Sequence, residues 1–186
     1  MTTVDTWALV IILCALLASS VVDLKQRIIP DELVILVAVC ALGACLSTRS
    51  SEVGLRLLIA AGMFFALAFC CRLNWLGGGD VKLMSALSLA VPAHQVGWLM
   101  VDISVAGAVL CCAYLSARHA LRAFWVMPAG KGLPPAQAPW SAWARLEVNR
   151  IMEGRSVPYA LAILGGFVYH AFTEFAPCSH VIFCSS

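Results

Sequence analysis

Long apolar blocks alternate with short polar clusters along this chain, and the blocks are of bilayer-crossing length. A helix needs about 17–25 mostly apolar residues to span a membrane. The pattern predicts a first segment over Thr6–Val22, a short second over Leu33–Leu46 and a third over Gly54–Cys71. From Leu83 to Ala117 the only charge is Asp102, and that stretch is too long for one span. Pro92-Ala-His-Gln95 is its natural break, because proline and polar residues punctuate helices. The break leaves a fourth segment over Asp80–Val91, too short to cross unaided, and a fifth over Val96–Ala117. A sixth follows at Val157–Phe172. The expected fold class is all-α: a polytopic transmembrane helix bundle of about six membrane segments, in one domain over residues 1–186.

Composition supports this and excludes much else. Of 186 residues, 62% are hydrophobic and 12% charged. Soluble domains carry about 25% charged residues, so this chain cannot clothe a soluble globule. A net charge of +2 is too small to attract a polyanion, so no nucleic-acid partner is expected. The bilayer is the expected surrounding, and the sequence does not disclose an oligomeric state. No Lys or Arg precedes the first apolar block, so that block reads as a retained span rather than a signal peptide. Of the nine cysteines, most lie in or beside apolar runs, where cysteine behaves as a small hydrophobe. No CxxC is present; Cys178 and Cys184 can pair only if the tail faces an oxidising compartment.

Positive charge sets the expected orientation. Lys25 and Arg27 follow the first segment, Arg72 and Lys82 flank the third loop, and Arg118, Arg122, Lys131, Arg145, Arg150 and Arg155 lie in the fifth. Only Arg49 and Arg56 fall on the other side. The first, third and fifth loops are therefore expected in the cytoplasm and both termini outside. The fifth loop, residues 118–156, is basic and irregular around Pro128–Pro139. Within it, Trp140–Glu153 is a candidate interfacial helix with Trp140, Trp143 and Leu146 towards lipid.

Acidic residues near a membrane are functional candidates by default. Asp23 lies at the cytoplasmic end of the first segment in VVDLKQRIIPDEL, and Asp80 at the cytoplasmic start of the fourth in LGGGDVKLMSAL. The charge-derived topology places both on one face at similar depth. Two facing carboxylates share a proton, so the ionised one can activate water while the protonated one polarises a carbonyl. Gly77, Gly78 and Gly79 permit close backbone approach just before Asp80. The blander readings are equally open on residues alone: Asp80 as the N-cap of the fourth helix, and Asp23 as a partner of Arg27.

The aspartate followed by Ile29-Pro30, together with GGGDVKL, resembles the type IV prepilin peptidases, membrane aspartic endopeptidases of the GxGD type. Gly77, Gly79 and Asp80 match GxGD, Lys82 matches the lysine that follows it, and Asp23 matches the first catalytic aspartate. SVPYALAILGG, residues 156–166, is similar to the family's entry into its last span. The resemblance implies cleavage of type IV prepilin leaders at the cytoplasmic face of a bacterial inner membrane, by Asp23 and Asp80, without a cofactor. The substrate it implies is a basic leader followed by a hydrophobic helix. The paired-CxxC insertion of the larger members is missing. The chain is therefore similar to the short form associated with Flp (tight-adherence) pili, with proteolysis expected and methylation not. Other GxGD proteases, acting on preflagellins or within the membrane, remain an alternative, as does a non-enzymatic subunit of a pilus or secretion system.

The remaining polar residues carry weaker expectations. Asp102, mid-segment, is a proton relay or a third acid or, more simply, pairs with a polar group such as His94 or Ser104. Asp31 and Glu32 are surface charges favoured at a helix start, with a substrate cation as the alternative. These two with Asp23 and Asp80 lack histidine support and fixed spacing, so no metal is expected. His119, His170 and His180 have no ligand spacing and are expected to be interfacial or exposed.

Overall fold

A computed structural model describes residues 3–47, 53–124 and 157–175, and all of its regular structure is helical. In chain order the helices are α1 (Thr3–Gln26), α2 (Asp31–Ser47), α3 (Val53–Arg72), α4 (Gly78–Ser88), a 3-10 turn (Ala93–Gln95), α5 (Val96–Phe124) and α6 (Tyr159–Phe175). Two units separate by contact: Met1–Gly107 with Pro158–Ser186, and Ala108–Val157. The second contributes the C-terminal part of α5 to the described residues; the helix continues seven residues past the expected end at Ala117. The Pro128–Pro139 stretch, the Trp140–Glu153 helix, Cys178, Cys184 and His180 lie outside the described residues.

The all-α, multi-pass expectation holds, but the span count does not. Among the described residues, three helices are long and apolar enough to cross a bilayer: Thr6–Gln26, Val53–Arg72 and Ala93–Ala120, with a shorter apolar helix at Tyr159–Thr173. The expected count was six. The reason is length: α2 and α6 have 17 residues each and α4 has 11. At 1.5 Å per residue they reach roughly 25 Å and 16 Å, short of a hydrocarbon core of about 30 Å.

Short as it is, α4 is central to the first unit. Val81, Leu83, Met84, Ala86, Leu87 and Ser88 are all buried. It packs against α2, α3 and α6, while α1 packs against α2 and α6. Leu83 and Leu87 join Leu16, Val37, Ile103, Ile163 and Phe167 in one core. Its apolar side chains are covered by other helices rather than by lipid, while its start is open, with Gly77 and Gly78 exposed. By contrast, α3 buries little beyond Arg56 and Ala60 and leaves Leu58, Phe65 and Phe69 exposed, as a lipid-facing helix does.

Candidate active site

Asp23 is buried in the last turns of α1, 7% exposed. The backbone N–H of Ala160 donates to its Oδ2 at 3.1 Å. Ala160 lies in the first turn of α6, where amides have no partner within the helix and the helix dipole is positive. The carboxylate therefore meets a donor already aimed outward. Ser20, one turn back on α1, places its hydroxyl 2.9 Å from Leu16 O and 3.1 Å from Ala160 O, so α1 holds both ends of the Ala160 residue. Arg27 is close enough for its charge to act on Asp23. Arg27 also ends α1: it takes φ 59°, in the left-handed region, and its N–H donates to Asp23 O at 2.8 Å.

Asp80 sits in the first turn of α4, and the sequence expectation for it needs correcting in detail. The N-cap is Gly77, not Asp80. Three residues on, Asp80 reaches back to accept from the Gly77 N–H, which is one half of a capping box. Asp80 lies near Asp23 and Tyr159 and feels the Asp23 charge. Burial, and then the Asp23 charge, push its carboxyl from 3.8 up to about 6, against the opposing Gly77 hydrogen bond. Asp80 on α4 is thus close enough to Asp23 on α1 to feel its charge, and both helices pack against α6.

The glycines divide by position. A Cβ on Gly77 would lie 2.8 Å from Asp80 Oδ2, in the space the carboxylate occupies. On Gly79 it would lie 2.9 Å from Ile29 Cβ, in the segment between α1 and α2. On Gly78 it would meet nothing within 4 Å. Gly78, Gly79 and Lys82 belong to α4 itself rather than to a loop. The Lys82 ammonium does not serve the carboxylates. It reaches Asp31 of α2 at 2.8 and 3.0 Å, and both side chains are largely solvent-facing. Asp31 is thereby committed to a neighbouring lysine, while Glu32 is exposed.

Two weaker expectations change. Asp102 does pair with a polar group, as expected, but that group is neither His94 nor Ser104. Its partner is His170, at 2.8 Å, and the Ser104 hydroxyl donates to Met100 O instead. His170 is correspondingly buried rather than exposed or interfacial. Sequence reasoning missed Ala160, whose contribution is a backbone amide and leaves no mark in residue type. It also missed Tyr159, although SVPYALAILGG drew attention to that stretch. Among the described residues, no three His, Cys, Asp or Glu side chains gather in a metal-holding group.

Residues 10–117, more than half of the chain, match the model of the type IV leader peptidase family. The match contains Asp23, Gly77–Lys82 and Asp102 and ends before α6. No curated protein and no solved structure matches the chain.

Proposed function

Because the chain belongs to the type IV leader peptidase family, aspartic peptidases that cleave prepilins, we propose that Asp23 and Asp80 are its catalytic pair. The observation that carries the reading is two partly or wholly buried carboxyls close enough to interact electrostatically, one held by the Ala160 amide, the other raised to about 6. Two such groups cannot both ionise at low cost, so they hold one proton between them. The ionised member takes a proton from water as that water attacks the scissile carbonyl. The protonated member donates to the carbonyl oxygen as it becomes tetrahedral. The pair titrates as a unit, so neither role belongs to one named aspartate. In the collapse the carboxyl that took water's proton gives it to the leaving nitrogen, and a hydroxyl of the tetrahedral carbon returns a proton to the other carboxylate, so the C–N bond breaks, the leader and the new N-terminus separate, and the pair again holds one proton.

The substrate is a Flp-like prepilin whose basic leader stays in cytoplasmic water while its hydrophobic helix lies in lipid beside the bundle. The first, third and fifth loops face the cytoplasm and the termini face outward. That orientation rests on the excess of lysine and arginine in those loops; the exposed Trp7 and Trp98 near the starts of α1 and α5, and Trp75 just past the end of α3, suit an interface on either side. The basic fifth loop would repel a basic leader and is better suited to anionic headgroups.

The test is cleavage of a co-expressed prepilin by wild type, Asp23→Asn and Asp80→Asn, with membrane insertion checked. Asparagine keeps the shape and removes the acid. Both variants are expected to insert and to leave the prepilin uncut. Wild-type processing by either one overturns the two-aspartate mechanism.

A further inference from the structure

One polar contact is sunk among apolar helices away from the two aspartates. His170 of α6 is 4% exposed, and its Nδ1 lies 2.8 Å from Oδ2 of Asp102 on α5. A carboxylate oxygen only accepts, so the His170 N–H is the donor. The other ring nitrogen, Nε2, is buried without a hydrogen-bond partner. Such a pair is expensive to place inside a membrane protein and more expensive to break. Its best-attested use is to fix the register of one helix on another.

The surrounding contacts form a seam that such a pin would set. A Cβ on Gly166 would come within 2.4 Å of Ile103 Cα, so the two backbones cross there in near contact. A Cβ on Gly165 would lie 3.8 Å from Ala106 Cβ. The Tyr159 ring fills the space over Gly107. The pairing runs 170 with 102, 166 with 103, 165 with 106 and 159 with 107, which is antiparallel. Along α6, Ala160, Ile163, Phe167 and His170 are buried at helical spacing. The glycine crossing lets the two helices approach, and the buried hydrogen bond adds to the register, because a slide leaves both groups unpaired.

The far end of the seam is the Ala160 amide, which donates to Asp23 Oδ2. We propose that Asp102 and His170 are positioning residues: their buried hydrogen bond sets the register of α6 on α5 and so holds the Ala160 amide on Asp23. This inference rests on the reading of Asp23 as catalytic. It differs from a proton relay, in which Asp102 would act by its acidity.

A reversible cross-link tells these apart. The 3.8 Å between Gly165 and Ala106 β-positions matches the usual Cβ separation of a disulfide. Cleavage of a prepilin is measured for Asp102→Leu and Asp102→Asn, each with and without Ala106→Cys plus Gly165→Cys, the bond being confirmed by peptide mapping. Asp102→Leu is expected to lose about 10- to 100-fold in kcat, the cost of misplacement by about an ångström, with KM changed little. Asp102→Asn still accepts from His170 and is expected to stay close to wild type. The disulfide is expected to return most of the lost rate to Asp102→Leu, and reduction by dithiothreitol to remove it again. The proposal is overturned if Asp102→Leu cleaves at the wild-type rate, if the formed disulfide restores nothing, or if Asp102→Asn is as poor as Asp102→Leu. Should Asp102→Leu fail to insert, His170→Phe carries the same comparison. Wild type and Asp23→Asn run alongside: an active Asp23→Asn overturns the catalytic reading, and an inactive one leaves the positioning test to stand by itself.

Discussion

Asp80 is held by the residues just before it, and each makes a separate prediction. Gly77→Ala places a methyl where the carboxylate lies, and Gly79→Ala drives one into Ile29. Both are expected to lower prepilin cleavage by about tenfold or more, since displacement of a reacting group by an ångström costs up to about a hundredfold. Gly78→Ala meets open space and is expected to retain activity, with a small gain in helix stability from replacing glycine. A cleavage assay on the three alanine variants checks the pattern, and an inactive Gly78→Ala would contradict it. The Asp80 carboxyl also sets a pH dependence of stability. Its folded value, about 6, lies above its ordinary 3.8, so the folded protein binds the proton more tightly. Stability from this group is present at low pH and is lost as pH rises towards and through about 6. Asp80→Asn removes a buried charge that the wild type carries above that range. In detergent, its melting temperature should exceed that of the wild type by a few degrees at pH 8, with the difference much reduced at pH 4.

Among the elements, α4 shows how a helix too short to span can still be central. Its apolar residues face neighbours on several sides, and its position comes from packing rather than from its polar contacts. The Lys82–Asp31 pair joins α4 to α2 at the surface. Exposed pairs of this kind are worth about 0–1 kcal/mol and weaken in salt. Lys82→Ala and Asp31→Ala are therefore expected to lower the melting temperature by no more than about 2–4 °C. The double variant should lose little more than either single one. A much larger loss of cleavage than of stability would place Lys82 in substrate handling instead. The close crossing of α5 and α6 at Gly166 is the opposite case: backbone meets backbone there, and no side chain can give way.

At the scale of the whole molecule, orientation follows from where the lysines and arginines fall, and it can be tested without reference to activity. A protease site inserted between Gly130 and Lys131, in the basic fifth loop, is expected to be cut in inverted membrane vesicles and spared in intact spheroplasts. The reverse result would turn the topology over and put the proposed site on the wrong side for a cytoplasmic leader. The family match spans the helices that carry both aspartates but stops short of α6. The amide on Asp23 thus comes from a part of the chain that the match does not reach, and it arrives there only through the fold.

The sequence by itself determined that this is a helical membrane protein, because burial in lipid demands apolar residues in blocks of recognisable length. It determined where helices begin and break, because glycine, proline and charge act locally. It also singled out Asp23 and Asp80, since an acid beside an apolar block is costly enough to need a reason. Tertiary structure decided the rest. Counting every apolar segment overcounted the spans, since several of the helices are too short to cross; only the packing showed that the shortest of them, α4, is central to the first unit. Asp102 found its partner 68 residues away rather than nearby. Gly77 and Gly79 were separated from Gly78 only by what stands opposite them. Apolar surfaces can meet in many registers at similar cost. Which polar groups meet is therefore settled only when the helices have packed and each buried donor has found its acceptor.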